Sequence, residues 1–106
     1  MSIDQAGVID AIGIDDSTGQ TVLTISDHLE WDKDHLFLLQ EKLNTYLSFV
    51  ESGEIFQAYP NSKGREVLIK VICKYPPDQS VESYLKQIEK IVESAGIKFM
   101  CRVFTD

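Results

Sequence analysis

The stretch from Ser26 to Gly53, SDHLEWDKDHLFLLQEKLNTYLSFVESG, constrains the fold more than any other part of the chain. It holds the single Trp and both His residues. Its apolar residues Leu36, Leu39, Leu43, Tyr46, Leu47 and Val50 recur at spacings of three and four, the period of an amphipathic helix. Asp32 is placed to be the N-cap, with its carboxylate accepting a free N–H of the first turn. Asp34 follows in that turn, where negative charge suits the helix dipole. Trp31 before the cap and Leu36 after it have the spacing of a hydrophobic staple. Gly53 is a natural C′ residue, since glycine accepts positive φ. These signals predict a helix from about Lys33 to Ser52. Leu38 and Phe49 fall nearly opposite its apolar stripe, so a second element or a partner must cover them.

The flanks read as strands and one further helix. VIDAIGID, Val8 to Asp15, ends in the turn cluster Asp16-Ser17-Thr18-Gly19 and leads into QTVLTIS, Gln20 to Ser26, so a hairpin is expected. Ile55 to Tyr59 reads as a weaker strand ended by Pro60, paired across the turn residues Asn61, Ser62 and Gly64 with a firmer strand, Val67 to Tyr75. Pro76-Pro77 stops that strand because proline lacks the ladder donor. Asp78 or Ser80 caps a helix whose Val81, Tyr84, Leu85, Ile88, Ile91, Val92 and Ala95 keep helical spacing up to Gly96. Ile97, Phe99, Cys101 and Val103 alternate with Lys98, Met100, Arg102 and Phe104, giving a last strand.

The order ββα(β)βαβ makes this an α+β chain: a two-layer sandwich with a largely antiparallel sheet of four or five strands and two helices on one face. Without its first strand the order becomes βαββαβ, a ferredoxin-like variant, although the strand order and the place of residues 55–59 in the sheet stay open. The length, 106 residues, suits one domain over residues 1–106. One sheet face carries Val67, Ile69, Val71 and Cys73 with Ile97, Phe99, Cys101 and Val103, which fits burial under helices. The other carries Leu68, Lys70, Ile72, Lys74, Lys98, Met100, Arg102 and Phe104, mixing large apolar groups with cations.

The string Asp27-His28-Leu29, Trp31, His35-Leu36, Leu39-Gln40, Lys42, Asn44, Tyr46, Phe49, Ser52-Gly53 resembles the signature of a small bacterial family of unknown function, about as long as this chain. The resemblance covers the central third well and the flanks loosely. It implies a bacterial, cytosolic, stand-alone domain and carries no activity.

Asp and Glu number 17 against 10 Lys and Arg, a formal charge of −7. That balance argues against non-specific binding of nucleic acid or anionic membrane, and a basic partner surface would be attracted. No apolar run reaches the ~20 residues of a membrane helix, and MSIDQAG lacks the basic and apolar regions of a signal peptide, so a cytoplasmic protein is expected. Cys73 and Cys101 have no metal-type spacing and read as two reduced, buried thiols. No phosphate-binding glycine loop, nucleophile elbow or paired Cys–His signature is present, and no cofactor is expected.

The densest chemistry lies at the strand–helix junction, where Asp27, His28, Asp32, Asp34 and His35 crowd together. Imidazole and carboxylate are ligands for zinc, and a His beside a carboxylate is a general-base arrangement. Capping and packing account for the same residues, and no catalytic residue is assigned. His28, His35, Asp27 and Asp32 therefore stand as weak metal candidates beside that structural reading. The leading function is an acidic protein-interaction module that binds a partner protein or forms a homodimer, through Leu68, Lys70, Ile72, Met100, Arg102 and Phe104 and through Leu38 and Phe49. One form of it is an immunity-type protein that masks a basic toxin, a reading from size and charge alone. The alternative is a small metal-binding protein or enzyme built on His28 and His35, with an enzyme the less favoured class.

Overall fold

A computed structural model describes residues 2–104. The chain begins with a turn-rich segment whose Ile3 is fully buried, then forms β1 (Ala11–Ile14) and β2 (Thr21–Asp27). These pair antiparallel as the expected hairpin, with Ile12 opposite Leu23. The connecting turn is closed by Asp15, whose carboxylate accepts the Ser17 amide at 2.8 Å, and by Gly19 at φ +77°. The strand expected from Val8 starts later, at Ala11, because residues 2–10 turn back across the molecule rather than extend the sheet.

Helix α1 (Lys33–Glu51) follows the sequence signals closely. The Asp32 carboxylate accepts the His35 amide at 2.8 Å, and Gly53 adopts φ +82° just beyond the end. The next segment departs from expectation. Ile55–Tyr59 is not a strand; Glu54–Ala58 form α2, with Tyr59 N donating to Ile55 O at 2.8 Å, and Pro60–Ser62 form one 3-10 turn. A short apolar run does not separate the two periods, and Ile55 and Tyr59 are also one helical turn apart. Glu54 in the first turn and the proline just past the end both suit a helix.

Loss of that strand changes the sheet. β3 (Val67–Cys73) is reached from β2 through helices, and β4 (Lys98–Val103) from β3 through α3 (Gln79–Ser94). A helical connection returns the chain to the end at which it started, so β3 runs parallel to β2 and β4 parallel to β3. The sheet is mixed, in the order β1-β2-β3-β4, rather than largely antiparallel. The element order is ββαβαβ once the helices between β2 and β3 count as one connection, so the βαββαβ pattern of a ferredoxin-like variant does not arise.

One side of each inner strand is buried. Thr21, Leu23, Ile25 and Asp27 of β2 lie in register with Val67, Ile69, Val71 and Cys73 of β3, and all are buried. With Phe99 of β4, Leu39, Leu43 and Tyr46 of α1 and Val81, Leu85, Ile88 and Val92 of α3, the apolar members form one core cluster. Between them the strands present Val22, Thr24 and Ser26, then Lys70 and Ile72, then Lys98, Met100 and Arg102, which are half-buried or exposed. Leu68 shares this outward side but is only 8% exposed, since it sits on an inner strand between Val22 and Lys98. It is therefore a poor contact residue, contrary to the sequence reading.

Candidate functional site

The junction between β2 and α1 is built from local geometry. Asp27 ends β2 with its side chain on the buried side, and its Oδ1 accepts the Leu29 amide at 3.2 Å. Asp32 caps the helix, which places His35 in the first turn, facing inward. His35 and Asp27 are 1% and 3% exposed and meet through Nε2 and Oδ2. His35 Nδ1 lies 2.8 Å from the Glu30 carbonyl, which only accepts, so Nδ1 carries a proton. Nε2 is left to face Asp27 Oδ2, so each ring nitrogen has a partner within the chain. Trp31 stacks on the imidazole with centroids 3.9 Å apart and planes 14° apart, and its Nε1 donates to the Tyr75 carbonyl at 2.8 Å.

Both nitrogens of His35 are thus engaged within the chain. His28 is exposed, and Asp32 is exposed and spent on the cap. Among the described residues no group of three or more His, Cys, Asp or Glu side chains is arranged to hold a metal ion. The geometry ties the end of β2, the start of α1 and the loop after β3 into one corner.

A second polar cluster was not picked out from the sequence. Lys42 is fully buried, and the three N–H donors of its ammonium are shared among four acceptors: the carbonyls of Ser2 (2.9 Å), Gln5 (2.7 Å) and Val8 (2.7 Å) and Asp10 Oδ1 (2.7 Å). Asp10 Oδ2 accepts the Ser26 amide at 3.0 Å, where β1 no longer pairs with β2. The Asp10 amide donates to the Tyr46 hydroxyl at 2.8 Å, which in turn donates to Thr24 O at 2.6 Å. Burial pushes the Tyr46 phenol up to about 12. The signal was a cation on the apolar stripe: Lys42 lies one turn from both Leu39 and Tyr46.

The thiols of Cys73 and Cys101 are free, with sulfurs 3.8 Å apart. The hydrogen bond between them holds Cys73 below the ordinary thiol range and Cys101 above it, and burial raises Cys101 further.

Of the expected contact residues, Met100 and Phe104 are exposed at 44% and 61%, Arg102 is exposed, and Lys70 and Ile72 are half-buried. A groove of 470 Å³ at one end of this face is lined by Ser26, Asp27, His28, Ile72, Lys74 and Phe104. Leu38 and Phe49 are half-buried and pack against the core cluster rather than forming a free surface. The exposed aromatic of α1 is Phe37, at 62%.

Residues 1–105 match the model of a family of unknown function, DUF6572. The chain belongs to this family. Neither a curated protein nor a solved structure matches it. Membership covers nearly the whole chain, so the His35–Asp27 corner, the Lys42 cluster and the outward sheet face all lie within the family domain. No described helix is long and apolar enough to cross a membrane.

Proposed function

We propose that this member of the family is a protein-interaction module that docks a partner on the outward face of its sheet. The reading takes α1 and α3 as one layer over the other face, which their shared core with β2, β3 and β4 supports. The observation that carries it is the charge of the open face. Lys70, Lys98 and Arg102 occupy outward strand positions, and Lys74 follows β3 on the same side. No outward position within the four strands holds a carboxylate, in a chain with 17 acidic and 10 basic residues. Two carboxylates flank the face: Glu66, just before β3, is bonded by Gln20 Nε2 at 2.6 Å, and Asp15, just after β1, shares a surface groove with Val22, Thr24 and Lys70. Ile72, Met100 and Phe104 stand among these cations.

Such a surface fits a partner offering apolar side chains ringed by Asp and Glu. A symmetric face-to-face homodimer fits less well, because it sets cations against cations. An immunity-type role toward a basic toxin would use the acidic remainder of the surface. The metal or enzyme alternative on His28 and His35 has less support, since both ring nitrogens of His35 are already bonded. Free thiols in contact fit a cytoplasmic setting.

The test compares wild-type protein with two doubles, Ile72→Asp/Phe104→Asp and Lys70→Glu/Arg102→Glu, in affinity capture from the native cells and in sedimentation. An acidic partner should be held by the wild type and lost by both doubles, with all three folded. A captured set unchanged by either double would end the proposal, and a wild-type dimer that both doubles dissociate would replace the foreign partner with a second copy.

A further inference from the structure

β4 lies at the end of the sheet, paired only with β3. In a parallel ladder, alternate residues direct both main-chain groups to the same neighbour. Phe104 N donates to Cys73 O at 2.8 Å, which fixes the phase: Lys98, Met100 and Arg102 bond toward β3. Phe99, Cys101 and Val103 therefore turn their N–H and C=O groups away from the sheet, and no described residue pairs with them. The side chains of the same three residues line a groove of 380 Å³ against α3, with Pro77 and Leu85 forming further apolar wall and Glu82, Lys86 and Glu89 of α3 completing the lining. Unpaired main chain and a groove with an apolar floor from Phe99, Cys101, Val103 and Leu85 thus coincide along one edge.

The opposite side of that edge carries Lys98, Met100 and Arg102, all exposed and without a carboxylate among them. β4 has neither proline nor bulge, and of the devices that usually blunt an exposed edge it carries the charges of Lys98 and Arg102. We propose that the free edge of β4 receives an extended strand from a partner protein, apolar where it faces α3 and acidic where it faces Lys98 and Arg102. A strand laid ~4.8 Å from β4 takes up the free main-chain groups. Its alternate side chains fall into the groove and beside the two cations. A second copy of β4 is a poorer occupant, because paired edges crowd four cations onto one side of the joined sheet.

This inference rests on the reading of the chain as a binding module but uses different atoms, the edge main chain rather than the flat face. The probe is a synthetic peptide of about eight residues alternating valine and glutamate, a length typical of strands. A valine–lysine peptide is the control, and both are followed by amide shifts in NMR titration. The glutamate peptide should shift β4 and Leu85 resonances. Cys101→Pro, which removes an outward N–H and no ladder bond, should weaken binding roughly tenfold or more, while Cys101→Val should not. Lys98→Glu/Arg102→Glu should reverse the preference between the two peptides, and it decides the matter if the proline variant does not fold.

No shift along β4 at millimolar peptide, equal binding by folded Cys101→Pro, or equal binding of both peptides by the wild type would overturn the inference. So would a dimer of the wild type that Cys101→Pro dissociates, or binding of single-stranded RNA at this edge without peptide binding. A partner lost with Ile72→Asp/Phe104→Asp but kept by Cys101→Pro would remove the edge while leaving the flat face standing.

Discussion

Replacing Lys42 with methionine tests the buried cluster most directly. The change keeps the aliphatic stem and deletes the ammonium that serves Ser2, Gln5, Val8 and Asp10. If residues 2–10 stay in place, the Asp10 carboxylate is left buried without its cation, a change that costs about 3–5 kcal/mol. If they peel away, Ile3 returns to water at about 2 kcal/mol. The bonds from Ile3 N to Ser26 O, Ser26 N to Asp10 and Asp10 N to Tyr46 are then lost as well, at about 1 kcal/mol each. Entropy regained by the freed segment offsets these losses, so the first route sets the upper bound of about 3–5 kcal/mol, a large share of the ~5–15 kcal/mol of a typical domain. Urea denaturation should show the midpoint falling by at most about 2–3 M for a slope near 1.5 kcal/mol/M. Lys42→Met/Asp10→Leu removes both charges and should recover more than about 1 kcal/mol relative to Lys42→Met alone. A single-variant loss below about 1 kcal/mol, or a double variant as poor as the sum of the singles, would refute this account.

Other consequences are open to measurement. The Tyr46 phenol, raised to about 12 against ~10 when unfolded, favours the protonated native state. Its contribution of at most about 3 kcal/mol is complete below pH ~10 and is lost as pH climbs toward 12, so Tyr46→Phe should flatten the alkaline fall in stability. His35→Ala strands the buried Asp27 carboxylate and should cost about 3 kcal/mol or more in urea melts. Zinc at one equivalent should leave Trp31 emission and the calorimetric baseline unchanged, since the ring stacked on Trp31 has no free nitrogen; a change in either would reopen the junction as a metal site. Gly53→Ala, forced to φ +82°, should cost about 1 kcal/mol by strain alone, because the added Cβ meets nothing closer than Phe56 at 3.9 Å.

The elements that were legible in the sequence are those set by neighbours along the chain. α1 has a cap, a stripe and a terminal glycine within one stretch; α3 has the Asp78 cap, with Val81 N donating to its carboxylate at 2.9 Å. The hairpin of β1 and β2 is also local. Residues 55–59 were misread because five residues do not distinguish the two periods. That one misreading reversed the direction of β3, since strand direction follows from the connection and not from the strand's own residues.

The site was legible as a place and less so as chemistry. Asp27, Asp32 and His35 do gather at the junction, but composition alone does not distinguish a ligand set from a capped corner. Lys42 was hidden for the opposite reason. Its four acceptors lie 32 or more residues away, three of them carbonyls that any residue type supplies. Leu68 misled because alternation assigns a side of the sheet, whereas an inner position shields a side chain even on the open side.

The parallel run from β2 through β3 to β4 also bears on how the chain assembles. Apart from the first hairpin, every strand pairing must wait for an intervening helix to find its place, so loop closure precedes any reward from the ladder. The hairpin and helices α1 and α3 are the parts able to nucleate by themselves, and β4 depends on both β3 and α3 before it gains a neighbour. Until then β3 offers bare main chain on one flank, and a nascent or refolding molecule is most exposed to mispairing there.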